Sequence, residues 1–387
     1  MKELAELFTG INNVDRAYYI GLMSGTSIDA IDAVVADFAP FPPHCLATHS
    51  VPIEPALKQR ILSLCSPGEN EIERLGQLDI ELGQQFAQAA LEVAKKAALN
   101  IEKIQAIGSH GQTIRHEPEL LYPFTLQIGD PNTIAQLSGI TTVADFRRRD
   151  LTVGGQGAPL APAYHRWLLQ DRGGAVVNIG GMANVTLLPK DQSKAVIGFD
   201  TGPGNVLIDY WMNRAYDKPL DQDGAIARTG KVSEPLLSEM QKEPFLHQPP
   251  PKSTGRETFN ATWFDHHYSA IAPPAAEDVA ATLVELTAST IAAAVLSQPF
   301  ESRSLWVCGG GAHNRFLLER IAAHLPGWQV ETTAAVGMAP DWVEAMAFAW
   351  LAYQTIHGRS SNLPSVTGAT EPVILGGIFP ASRKNSR

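Results

Sequence analysis

Cysteine is scarce in this chain of 387 residues: Cys45, Cys65 and Cys308 stand far apart, odd in number and without a CxxC pair. Such usage points away from a disulfide framework or a thiolate zinc site, and towards a reducing compartment, the cytoplasm. Basic residues are outnumbered, 30 Lys and Arg against 40 Asp and Glu, for a formal net charge of −10. That balance argues against nucleic acid as a partner, while leaving room for small anions held by local arginines. No window approaches the roughly 18 apolar residues that cross a bilayer, so no membrane partner is expected. The opening MKELAELFTGINNVDRA has acidic residues breaking every apolar run and does not read as a signal peptide. Metal-ligand spacing is missing too: His110 and His116 fall in separate turns, and His266 and His267 are adjacent. Neither GxxxxGKS nor GxxxxGKT occurs, which removes a Walker-type NTPase. Ser24 and Ser109 lack the GxSxG context of a hydrolase nucleophile.

What is present is an ordinary globular composition, 44% apolar and 18% charged, in a chain too long for one core, so two domains are expected. Residues 18–22 and 33–38 are apolar strands around MSGTSIDAID and read as a hairpin. From 71 to 100 the spacing turns helical, with Leu75, Leu78, Leu82, Phe86, Ala90 and Val93 on one stripe. Short strands at 104–107 and 124–128 each run into a glycine turn, GSHGQT and GDPNT. The second half repeats this grammar. Residues 175–179, GGMAN and 185–188 make another strand, glycine turn and strand, and 196–199 ends in DTGPGN. A helix is expected over 277–298, with Val279, Leu283, Leu286, Ile291 and Val295 inward. Strand 304–308 opens onto Gly309, Gly310 and Gly311 and the helix-like NRFLLERIAAHL, and 341–356 reads as an Ala-rich packed helix. The Pro-rich 248–253 is a loop and the tail ASRKNSR a frayed end.

The densest chemistry lies in residues 145–159, DFRRRDLTVGGQGAP. Three adjacent arginines attract phosphate or another anion, and glycines at 154, 155 and 157 let backbone approach a ligand. Asp150 stands between them, where a carboxylate can accept a proton. The plain alternative is a surface turn with an Arg–Asp pair. One glycine turn means little, but two strand–glycine–strand hairpins and a GGG turn into a helix suit a nucleotide. Its phosphates need backbone N–H donors that add no bulk. In GTSIDAID, Thr26 and Ser27 add hydroxyl donors, and Asp29 and Asp32 can hold the water shell of Mg²⁺. Turn capping is the alternative for both aspartates. His110 is either a substrate contact or a satisfied turn histidine. Glu344 is a charge on an apolar helix, either paired in the core or open to a cleft, where it can accept from a substrate hydroxyl.

The succession GLMSGTSIDAID, GSHGQTIRHEP, LQIGDPNTIAQLSGI, VADFRRRDLTVGGQGAPLAP, NIGGMANVT, GFDTGPGNVLID, KSTGRETF and VCGGGAHN resembles the anhydro-N-acetylmuramic acid kinase family, within the actin-like ATPase superfamily of sugar kinases. The resemblance runs in order over residues 18–368, with one departure, Ala30, where the family usually has glycine in GTSxDGxD. It implies an α/β protein of the duplicated ribonuclease H-like, two-domain fold, with ATP in the inter-domain cleft. Domain I is expected over 1–133 plus 365–387 with the first phosphate hairpin. Domain II is expected over 134–364 with the second hairpin, the adenosine turn and the catalytic aspartate. ATP contacts are implied for Gly25, Thr26, Ser27, Ile28, Asp29, Ala30, Ile31 and Asp32 in the first hairpin. In the second half they are implied for Gly180, Gly181, Asn184, Gly202, Gly204, Asn205, Gly309, Gly310 and Gly311. Sugar contacts are implied for His110, Gln127, Arg148, Gln156 and Glu344, and Mg²⁺ through water at Asp29 and Asp32. The working form is expected to be a homodimer.

The substrate so implied, 1,6-anhydro-N-acetylmuramic acid from bacterial cell-wall turnover, has O6 locked in a bridge to C1. Such an enzyme must add water at C1 and pass the γ-phosphoryl of ATP to O6, giving N-acetylmuramic acid 6-phosphate and ADP. The resemblance makes Asp150 the general base, with Mg²⁺ and glycine-turn amides offsetting charge on the phosphoryl group. A glycosidase would use paired carboxylates alone and leave the nucleotide turns without purpose. A nucleotide-binding regulator of the same superfamily would lack the base, and the first 17 residues are too short for a helix-turn-helix extension.

Overall fold

The computed structural model describes residues 17–298 and 302–382. The N-terminal segment, read above as neither a signal peptide nor part of the family core, and most of the ASRKNSR tail lie outside the described residues. The strands, in chain order, are β1 (Tyr18–Met23), β2 (Ala30–Asp37), β3 (His44–Pro52), β4 (Ile104–Ser109), β5 (Gln112–Glu117), β6 (Phe124–Ile128) and β7 (Thr142–Ala144). They continue as β8 (Gly174–Ile179), β9 (Met182–Leu188), β10 (Ile197–Pro203), β11 (Ser304–Cys308), β12 (Gln329–Thr332) and β13 (Gly377–Phe379). Two compact units result. One holds Met1–Ala158, Glu344–Asn362 and Ala369–Arg387, the other Pro159–Val343 and Leu363–Gly368.

The first unit is built on a sheet of order β13-β7-β4-β1-β2-β3, the second on β10-β9-β8-β11-β12. In each, a three-stranded antiparallel meander is followed by two parallel strands: β1, β2, β3, β4 and β7 in one, β8, β9, β10, β11 and β12 in the other. One topology twice over is the duplicated ribonuclease H-like α/β fold. Both expected hairpins are present, Tyr18 pairing with Asp37 and Asn178 with Asn184.

Strand β1 is buried along its whole length because both faces are covered. Tyr18, Ile20 and Leu22 join the core against Leu78, Leu82, Phe86, Ala90 and Val93 of the Glu71–Lys96 helix, the stripe expected from helical spacing. Each such fully buried large side chain stabilises the fold by about 1.5–3 kcal/mol. The opposite face carries Gly21, in register with Gly108 of β4. A Cβ on Gly21 would lie 1.8 Å from the Ala345 carbonyl oxygen, and one on Gly108 would lie 2.0 Å from that of Phe348. The Val343–Ile356 helix therefore rests directly on two glycines. That contact ties the helix to the first unit and corrects the domain division expected over 1–133 plus 365–387 and 134–364. Residues 134–158 and the helix belong with the first unit, while 365–368 belong with the second.

The second core gathers β8, β9 and β11 around the Ala276–Leu296 helix, whose Val279, Leu283, Leu286, Ile291 and Val295 are all buried. This helix corrects a further expectation, for it is long and apolar enough to cross a membrane, with a mean hydropathy of 1.8. In the structure 78% of that window is buried inside the protein, as in the core helix of a globular unit.

Candidate active site

In the first unit, residues 24–29 join β1 to β2. Thr26 and Ser27 stand exposed, and a Cβ on Gly25 would meet nothing within 4 Å. Ile28 holds φ 55° with its side chain only 2% exposed, an outlier for a β-branched residue that marks stored strain at this turn. Ile31 is wholly buried, so these two isoleucines anchor the turn from beneath. Ala30 has no positive φ and pairs with Pro52 as an ordinary strand residue, so the backbone here does not require the family's glycine. The two aspartates differ. Asp29 accepts from Lys58 Nζ at 2.6 Å on the surface, whereas Asp32 lies half-buried on β2 and raises the carboxyl of Glu344.

FRRRDLT is the short helix Phe146–Thr152, and helical geometry sends its three arginines apart. Arg148 bonds Asp145 at 2.9 Å, and Arg149 is exposed. Arg147 turns inward: Nη1 donates to the Gly157 carbonyl at 2.9 Å and Nη2 reaches His110 Nε2 at 2.9 Å. An imidazole nitrogen that accepts from a guanidinium leaves the ring proton on Nδ1. Burial and the adjacent Arg147 push His110 down to about 3, so it stays neutral. Its ring also packs on Phe348, with centroids 4.7 Å apart.

Asp150 does not stand at a ligand surface; it is 0% exposed. Gly157 N–H donates to Oδ2 at 2.8 Å and Asn362 Nδ2 to Oδ1 at 2.7 Å. The Asn362 amide cannot flip without loss, since its Oδ1 accepts from Val373 N–H at 2.7 Å. A Cβ on Gly155 would lie 2.1 Å from Asp150 Oδ2, so this glycine lets the loop close on the carboxylate itself. The expected catalytic base is thus corrected: a carboxylate sealed from solvent and held on both oxygens joins the 153–157 turn to the 362–373 loop. None of its surface meets solvent.

Glu344 is exposed, yet the protein around it pushes its carboxyl above the usual range, an effect partly offset by Arg147 and reinforced by Asp32. Glu344, Arg147, His110 and Asp32 therefore form one electrostatic group. Gln127 stays within the β5–β6 ribbon, donating to the hydroxyls of Thr113 and Thr125, and Gln156 is exposed between two buried glycines.

In the second unit, the turn between β8 and β9 meets the segment after β10. Gly204 N–H donates to the Gly181 carbonyl and Asn205 N–H to that of Gly180, both at 2.8 Å. These amides, expected to face phosphate, hold the turn together instead. Gly202, at φ 142°, leads into that segment. Gly309 and Gly311 are closely backed, an added Cβ falling 2.3 Å from Asn178 Oδ1 and 2.4 Å from Ile179 Cγ2, while at Gly310 the nearest atom is 3.8 Å away. Gly310 therefore faces open space.

Asn184 sits in register between Asn178 and Asp200 on neighbouring strands. Asp200, inside β10 at the head of DTGPGN, is not among the site residues expected from sequence; its signal is an acid in an apolar strand that runs into a glycine turn. Its Oδ2 accepts from Ser253 Oγ and Thr254 N–H, both at 2.9 Å, while Oδ1 accepts no hydrogen bond from the described residues. Burial raises its carboxyl, with those two donors and Lys252 opposing and Glu257 adding to the rise. Asn362 and Arg147 were missed as well. Nothing local in sequence marks Asn362.

Among the described residues no group of three or more His, Cys, Asp or Glu could hold a metal ion. Mg²⁺ does not need one, since it keeps most of its waters and takes one or two carboxylates beside phosphate. Asp29 and Asp32 are the carboxylates expected for it; Asp29 pairs with Lys58 on the surface, and Asp32 lies half-buried on β2.

Residues 17–381 match the family model described as anhydro-N-acetylmuramic acid kinase. Relatives of that name include a Coxiella burnetii protein, 49% identical over 369 residues that cover 95% of this chain and 98% of the relative. Another, from Shewanella loihica, is 49% identical over 371 residues, covering 95% and 100%. Among solved structures, component A of the (R)-2-hydroxyglutaryl-CoA dehydratase of Acidaminococcus fermentans is similar at a TM-score of 0.49 and 12% identity, covering 88% of this chain and 99% of that one.

Proposed function

This chain belongs to the anhydro-N-acetylmuramic acid kinase family, and on that footing we propose that it opens 1,6-anhydro-N-acetylmuramic acid with water and phosphorylates O6 in one reaction. It is a kinase that takes a sugar and ATP. The observation that carries the finer reading is Asp200, the carboxylate with one oxygen oriented by two donors, the other with no hydrogen bond from the described residues, and a proton affinity raised by burial.

Asp200 Oδ1 takes a proton from water as the water oxygen bonds to C1. The C1–O6 bond breaks, O6 bonds to the γ-phosphorus of ATP, and ADP leaves. The product is N-acetylmuramic acid 6-phosphate, which returns a cell-wall sugar to metabolism. Gly25, Thr26 and Ser27 offer open surface to phosphate, and Gly310 offers open surface to an adenosine. When bound near Asp32, Mg²⁺ supplies positive charge against the phosphates. Glu344 is the acid kept for hydrogen bonding to a sugar hydroxyl. The proposal places the reaction in the cytoplasm, where ATP is, and takes a homodimer as the working form.

Heavy-oxygen water tests the reaction. Label should enter the C1 hydroxyl of the first-formed product and be missing from the transferred phosphate. Label in the phosphate would mean that water attacks phosphorus, and the coupled opening would be refuted.

A further inference from the structure

We infer that Arg256 reads the lactyl carboxylate of the muramic sugar and sets the preference for this acid over neutral analogues. The inference rests on the proposed reaction and names the part of the substrate that one side chain recognises.

Residues 252–257 run beside the edge strand β10. Asp200 N–H donates to the Lys252 carbonyl at 3.1 Å, and Ser253 and Thr254 hold the Asp200 carboxylate. Acids collect here. Glu257 raises the carboxyl of Asp200, and on the next helix burial pushes Asp209 up to about 6. A substrate that brings its own carboxylate to Asp200 meets repulsion from this group unless a cation answers it.

Two cations are at hand. Lys252 is committed, for its Nζ donates to the carbonyls of Phe245 and Leu246 at 3.0 and 3.2 Å and lies 4.7 Å from the Phe245 ring centroid. Arg256 is not. It is exposed, its guanidinium makes no hydrogen bond or ion pair with the described residues, and it acts on Asp209 only through space, lowering that carboxyl. Its backbone is held, since Asn260 Nδ2 donates to the Arg256 carbonyl at 3.0 Å. A planar fork of free N–H donors on an anchored loop beside the base is suited to a carboxylate, which it can bind through two parallel bonds.

Kinetics of wild type, Arg256→Gln and Arg256→Lys with three sugars test this: 1,6-anhydro-N-acetylmuramic acid, its lactyl amide, and 1,6-anhydro-N-acetylglucosamine. Wild type should prefer the acid. Arg256→Gln should raise KM for the acid on the order of 10- to 100-fold and leave the two neutral sugars and ATP unchanged, as expected for loss of a charge-assisted pair. Arg256→Lys should restore part of the preference. A variant that keeps the preference, loses all three sugars alike, or weakens ATP instead overturns the inference while the reaction stands. Wild type that phosphorylates none of the three refutes the reaction and the inference together.

Discussion

Asp150→Asn separates a structural carboxylate from a catalytic one. Both oxygens of Asp150 face fixed donors, the Gly157 amide and the Asn362 side chain. An asparagine keeps one oxygen and turns the other into an NH₂ group aimed at a donor. Rotation gives no escape, since each face meets N–H, and Asn362 can offer its oxygen only by abandoning Val373. The variant loses one charge-assisted bond, about 1.5–3 kcal/mol, and leaves a buried donor unsatisfied at about 1–3 kcal/mol more, or about 2.5–6 kcal/mol together. For a unit of this size that lowers the melting temperature by roughly 5–24 °C. Asp200→Asn is the contrast, expected to melt like wild type while kcat falls by about 10²–10⁴-fold with ATP binding kept. Scanning calorimetry and turnover on the same samples read both. If Asp150→Asn melts within about a degree of wild type yet loses turnover, the carboxylate is reached by water after all and the structural argument fails.

The glycine turns separate in the same way. Gly25→Val and Gly310→Val put side chains where the protein has room, so folding should hold and ATP affinity should fall by calorimetry; wild-type affinity in both would make them plain turns. Gly309→Ala, with φ 77° and Asn178 Oδ1 behind it, should instead lower the melting temperature. Asp200 works only when ionised, so kcat/KM should be full above its raised pKa and fall as pH drops through it. The Ser253 hydrogen bond favours the ionised form, so Ser253→Ala should move this acidic limb to higher pH, by roughly one pH unit or less. A pH profile unchanged by that substitution would remove Asp200 as the titrating base.

Local pattern made the scaffold legible. Short apolar runs on either side of a glycine turn marked both hairpins, and the stripe from Leu78 to Val93 marked the helix that covers the first sheet. The FRRRD segment misled because charge density in sequence says nothing of direction. Seven helical residues turn one arginine inward, pair another with Asp145 and leave the third exposed. The partner that defines Asp150, Asn362, is 212 residues away and carries no motif.

The domain division had a signal that pattern reading left unused. Glycine in the middle of a fully buried strand removes packing surface and weakens the strand, so it needs a reason, and close approach of another backbone is the usual one. YYIGLM and IQAIGS each carry such a glycine, and Gly21 and Gly108 lie side by side beneath the Val343–Ile356 helix. An Ala-rich helix is the natural occupant of a glycine bed, because both surfaces are shallow. That pairing brings Glu344 from the far end of the chain into one electrostatic group with Asp32 and Arg147. The same two glycines that correct the domain boundary therefore also place the acid, which neither the helix nor the strands reveal when read alone.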